Sequence, residues 1–281
     1  MKGIFLSLLI LLQFVALAHE EPAKTLFEKK QKSDSKKKYA AAGIKTVTMW
    51  KQVSGEAKTK ALVMGYGKDG TYLWVEAWKN NSLDLRVEYG YSASGDMISD
   101  TDFEPNGAMA EKNVYEYDKQ GRVVSGISYD SKNEVTGTFK IVHSADKKKL
   151  EFLKYKSDKS PEYTLVYSYS TDYDKEDYSS AVKYDADGKV QMKVTKKHNK
   201  DGLTTEKAVY GSDENLMFTF KYEYDSKGNL TRVTKFLPDG KTEWKDTYTN
   251  NNYGICTGLK SYDGEGVLKT EVFYEMERYT E

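Results

Sequence analysis

The stretch "YEYDSKGNLTRV", from Tyr222 to Val233, decides how the chain is read, because versions of it recur from one end of the sequence to the other. It reads as the end of one β-strand, a tight turn and the start of the next. Gly228 supplies the positive φ that such a turn requires, and Asp225 is placed to hydrogen-bond the local backbone. Related units are "YDADGKV" at Tyr184, "HNKDGL" at His198, "YGSDENL" at Tyr210, "FLPDGK" at Phe236 and "YDGEGVL" at Tyr262, with "YSASGDM", "YDKQGRV" and "YDSKNEV" upstream. From Gly188 the turn residues Gly202, Asn215, Gly228, Gly240, Gly254 and Gly266 follow at spacings of 12 to 14 residues, which marks an internal repeat.

Between turns the pattern alternates with period two: Leu216, Phe218, Phe220, Tyr222 and Tyr224 share one face, with Lys221 and Glu223 on the other. A unit of about 13 residues leaves roughly eight for a strand and five for a turn. Connections this short permit only antiparallel neighbours. The expected fold is all-β: an antiparallel β-meander of short hairpin repeats, forming an elongated curved or coiled sheet. Residues 44–281 have room for roughly 16 to 19 strands, more than a twisted open sheet carries without curling, splitting or closing. The aromatic face is expected inside, and the stretch from Tyr167 to Tyr184 is the least regular and the expected long loop.

Composition supports this. Tyrosine occurs 23 times and proline four, and aromatic residues suit a pleated, half-buried surface. Lysine and arginine total 43 and so do aspartate and glutamate, which removes the electrostatic case for nucleic acid as a partner.

Lys2, the apolar run from Ile4 to Ala18 and the small-residue pattern Ala16-Leu17-Ala18 have the layout of a signal peptide cut before His19. Domains are therefore expected at 1–18 (signal), 19–43 (a Lys-rich solvated linker, or a basic tether to anionic envelope polymers) and 44–281 (repeats). No integral span is expected after signal removal, and the protein is expected in the periplasm, at the cell surface or secreted. A single cysteine, Cys256, forms no internal disulfide, which favours a bacterial envelope. With no histidine nearby it reads as a small buried residue and not as a nucleophile.

The units "YEYDSKGNLTRVTKF", "YEYDKQGRVVSGISYD" and "VKYDADGKVQMKV" resemble the YD repeats of the RHS family, whose signature is Tyr-Asp, two variable residues, Gly and an apolar residue. The resemblance implies a β-meander in an exported bacterial protein. Large RHS proteins coil such strands into a shell around a toxin domain. This chain is expected to be too short for that and to carry no further domain after the repeats, so the encapsulating role is not carried over.

No catalytic constellation emerges. His143 and His198 stand where other units have Tyr, no histidine pair has metal-ligand spacing, and nucleophile-elbow and P-loop patterns are missing. The run from Asp172 to Asp177 begins like a calcium loop, but Asp177 and Lys183 occupy the places of its glycine and bidentate glutamate. No metal site, cofactor or catalytic residue is expected.

The binding candidates are aromatic: Tyr72, Trp74 and Trp78, taken to share strand parity in "TYLWVEAW", and Trp244. Exposed, they would stack on sugar rings or peptide aromatics; buried, they are core. The expected function is an exported non-enzymatic repeat protein with a binding or envelope-structural role, its partner a glycan or an envelope protein. The alternatives are a polysaccharide-active enzyme using a carboxylate pair in a groove and an outer-membrane β-barrel.

Overall fold

A computed structural model describes residues 26–280, and their side chains from residue 33. The signal peptide expected at 1–18 lies outside the described residues. Residues 44–278 form 18 antiparallel strands, β1 (Ile44–Val53) to β18 (Leu268–Arg278), each paired with the next. The first and last strands also pair, in a register running from Val47↔Met276 to Val53↔Thr270. The meander therefore closes into a barrel, and the open elongated sheet expected from the repeat is corrected. Closure joins the two edges, which would otherwise each expose a row of unpaired backbone groups.

The turns explain the motif. In "YEYDSKGNL" the Asp225 N–H donates to the Asn229 carbonyl and Gly228 N–H to the Asp225 carbonyl, both at 2.9–3.0 Å. Asp225 Oδ1 accepts the N–H groups of Lys227 and Asn229, and Gly228 has φ +79°. The same bonds recur around Asp118, Asp130 and Asp185. In the turn at Gly211 the left-handed residue is Glu214, φ 60°, and not Asn215.

Most returning strands carry an extra residue close to the turn; those at Lys149–Lys156 and Ser180–Asp185 do not. Tyr224 pairs with Leu230 but Glu223 with Arg232, so Thr231 is unmatched; Val124 is skipped in the same way after Tyr117↔Val123. The bulge inverts the alternation. Aromatics that precede turns at one end of the barrel consequently point inward, and those that precede turns at the other end point outward.

At the inward end these side chains tie hairpin to hairpin. Tyr91, Tyr117 and Tyr224 donate through their hydroxyls to the carbonyls of Tyr72, Met97 and Thr204, at 2.5, 2.6 and 2.8 Å. Asn250 and His143 make the equivalent bonds to Leu230 and Val123. His143 thus holds a tyrosine's place, and burial lowers its pKa.

The barrel wall packs its inner side chains densely. Val75, Val87, Val123 and Leu150 are 0–1% exposed, and along the inner wall the Phe139 ring stacks on Phe152 and meets Tyr115 at a tilt. The inward end carries two covers. The segment from 169 to 179 folds over part of it, burying Tyr173 beneath the Arg122 guanidinium and pairing Lys147 with Asp174 and Lys196 with Asp177.

The second cover is a helix, α1 (Leu26–Ala41), in the region expected as a solvated linker. Lysine, alanine and glutamate favour this conformation, and Gly43 at φ +62° ends it. Tyr39 stacks on Tyr66 at 4.3 Å, and Lys36 pairs with Asp69 at 2.6 Å. Gly70, at φ +78°, leaves room for the helix: an added Cβ would lie 2.0 Å from the Lys36 carbonyl oxygen. Gly70→Ala is expected to undock α1 while leaving the barrel folded, read as new hydrogen exchange at 33–41 with strand amides unchanged.

Candidate functional site: an aromatic collar on the outer wall

Because the bulges invert the alternation, the far rim of the barrel carries an outward aromatic at the end of every second strand. The series begins with Trp50 on β1, Trp78 on β3 (Tyr72–Lys79), Phe103 on β5 (Met97–Phe103) and Tyr129 on β7 (Val123–Asp130). It continues with Tyr155 on β9 (Lys149–Lys156) and Tyr184 on β11 (Ser180–Asp185), then with Tyr210, Phe236 and Tyr262. The collar is complete and each ring is half-buried. Across each hairpin an apolar residue usually faces the ring, as in Phe103↔Met109, Tyr129↔Val135 and Tyr184↔Val190.

On one flank the collar is closed over by cations. Lys58 lies 4.8 Å from the Trp50 ring and Lys60 lies 3.9 Å from Trp78. Lys221 and Lys245 cover Phe236 and Tyr262 at 5.3 and 5.0 Å. Such pairs contribute about 0.5–1 kcal/mol each at an exposed site. The Trp50 indole N–H also donates to Glu275, which Lys58 pairs at 2.8 Å, holding Glu275 below the usual carboxylate range.

Around Tyr155 and Tyr184 the arrangement differs. Leu153, Tyr155, Pro161, Thr164 and Tyr184 line a shallow outer-wall groove of about 310 Å³, bounded by the turn at Asp185, Ala186 and Gly188. Tyr155 faces Pro161 and Tyr184 faces Thr164 across the strand pairs. Asp185 is engaged by its own turn and by Gln191, whose Nε2 donates at 2.8 Å, which lowers its pKa.

The sequence-derived candidates divide among three places. Trp78 belongs to the collar. Trp74 lies outward but nearer the helix end, beneath the Arg86 guanidinium at 4.9 Å. Tyr72 does not share their parity: it pairs with Tyr66 while Trp74 pairs with Gly65, so Leu73 is the bulge and Tyr72 points inward, between Tyr66 and Tyr89. Trp244 is inward too, 8% exposed and 5.9 Å from Phe220. Trp50, Tyr155 and Tyr184 were not singled out, since each looks like turn grammar alone. Cys256 is half-buried, and burial raises its thiol pKa.

No family model and no curated protein matches the chain. Solved structures similar to it include a porin-like protein from Bacteroides uniformis, at 12% identity and TM-score 0.30, covering 83% of this chain and 96% of that one. A porin-like protein from Bacteroides vulgatus has 9% identity and TM-score 0.31, covering 83% and 98%. A DUF3836 family protein from Bacteroides vulgatus has 17% identity and TM-score 0.24, covering 28% and 88%.

Proposed function

We propose that this is an exported, non-enzymatic barrel of the bacterial envelope that works as a binding protein through its outer wall and conducts nothing through its middle. One observation carries the reading: the inner face is occupied mainly by buried apolar and aromatic side chains, with a hydrogen-bonded polar network around Asp100 among them, while a collar of aromatic side chains faces outward. A conducting barrel has the opposite polarity, apolar outward and polar inward. The YD-type turn grammar belongs to this reading as the means of building the wall.

Closure and the even strand number favour a second reading, an outer-membrane barrel, and among the described residues no helix is long and apolar enough to cross a membrane. Against it, Arg86 sits outward between Glu76 and Glu88 at 2.9 Å, and Lys260–Glu271 and Arg232–Glu223 are further outward pairs within the strands. Each lysine or arginine facing lipid at mid-depth costs about 2–4 kcal/mol.

The test is to purify 19–281 without detergent and to add it to planar bilayers. A monodisperse species that leaves conductance unchanged is expected. Discrete conductance steps, or a chain soluble only in detergent, would establish the membrane-spanning reading instead.

A further inference from the structure

We infer that the groove between Tyr155 and Tyr184 is a binding site for an uncharged saccharide; this rests on the outer wall being the recognition surface. The lining argues for the ligand class. Two outward tyrosines separated by Pro161 and Thr164 offer flat apolar faces with hydroxyls at their edges. A pyranose ring has matching parts, an apolar C–H face and a hydroxyl rim, and aromatic side chains with polar tips suit such amphipathic surfaces.

Charge points the same way. The Lys154 ammonium is directed inward, 3.4 Å from Ser128 Oγ, and Asp185 is spent on its turn. The charged groups bordering the groove are thus turned away or already engaged, Lys149 near Tyr184 being paired with Glu151 at 2.5 Å, so an ionic group is not the recognised feature. The collar supplies the contrast. Trp50, Trp78, Phe236 and Tyr262 each carry a lysine over the ring. Among the described residues no cation is stacked on Tyr155 or Tyr184, nor on Phe103, Tyr129 or Tyr210, and of these open rings Tyr155 and Tyr184 are the two that line the groove, so a sugar can reach both without displacing an ammonium group.

The probes are cellotetraose, chitotetraose and laminaritetraose, titrated by calorimetry into 19–281, with retardation in native gels containing the parent soluble polymers. Binding of at least one is expected, weakened tenfold or more by Tyr155→Ala or Tyr184→Ala and less than threefold by Tyr184→Phe, which keeps the ring. Tyr253→Ala, at an exposed tyrosine in a turn at the opposite end of the barrel, should leave affinity unchanged. Both tyrosines are half-exposed, and unchanged circular dichroism and melting in each variant separates lost recognition from lost fold.

Failure of all three sugars to bind, binding indifferent to both alanine variants, or equal loss in Tyr253→Ala would overturn the assignment. A protein that is monodisperse and electrically silent but binds no sugar sinks this inference alone, whereas bilayer conductance sinks the reading beneath it.

Discussion

Asp100→Ala is expected to lower stability by about 3–5 kcal/mol, the cost of stripping a buried polar network of the group that satisfies it. Asp100 is 0% exposed on the inner wall. Its carboxylate accepts from Asn113 Nδ2 at 3.1 Å and from the Tyr115 hydroxyl. Asn113 Oδ1 in turn accepts from Ser128 Oγ at 2.6 Å, and Ser128 Oγ accepts from Lys154 Nζ.

The bonds run across β5, β6 (Met109–Tyr117), β7 and on to β9, so they fix the register of neighbouring strands from inside. Alanine would leave the Tyr115 hydroxyl and the Asn113 amide without their acceptor where no water reaches them. Urea unfolding measures the loss, and Tyr115→Phe in the same background supplies the cycle. The double variant should lose less than the sum of the two singles, because the second change removes a group already stranded. A loss below 1 kcal/mol for Asp100→Ala, or strict additivity, would show that these bonds do not hold the wall.

The sequence announces the strands and hides the sidedness. Tyrosine, aspartate and glycine at fixed offsets locate each turn, and the strand total within the expected range follows from the spacing alone. Closure was one of several ways to resolve too many strands, and nothing local in Ile44–Val53 or Leu268–Arg278 says that these two segments pair.

Strict period-two reading then fails at a definite place, the extra residue that follows most turns. Tyr72 and Trp74 look like one face until Leu73 is recognised as a bulge. The same extra residue sends Tyr117 inward and Tyr129 outward, although both stand before an aspartate in a similar motif. The collar was therefore in view as turn chemistry without being visible as a surface. Helix α1 was hidden for another reason: its lysine-rich composition suits a solvated coil as well as a helix, and the contacts of Tyr39 and Lys36 with the barrel decide between them.

Asp246→Asn is expected to raise stability at neutral and alkaline pH, by about 2–3 kcal/mol, and to do little near pH 4. Asp246 lies on the inner wall of β16 (Thr242–Asn250), 1% exposed, beside Ser261 on β17 (Cys256–Asp263). Burial raises its pKa to about 6, opposed by a hydrogen bond from Ser261. An unfolded aspartate titrates near 3.9. The folded chain therefore holds this proton over a range in which the unfolded chain has released it.

The native state binds more protons between about pH 4 and pH 6, so stability falls as pH rises through that window, and above it the full cost of a buried carboxylate remains. Asparagine keeps the acceptor for Ser261 and carries no charge to desolvate, so it removes this cost. The difference in melting temperature between Asp246→Asn and the parent chain should open between pH 4 and 6 and then stay level to pH 8. A difference independent of pH would assign the effect to packing around Trp244 and Tyr248. A loss of stability at pH 8 would mean that the ionised carboxylate is a favourable part of the wall.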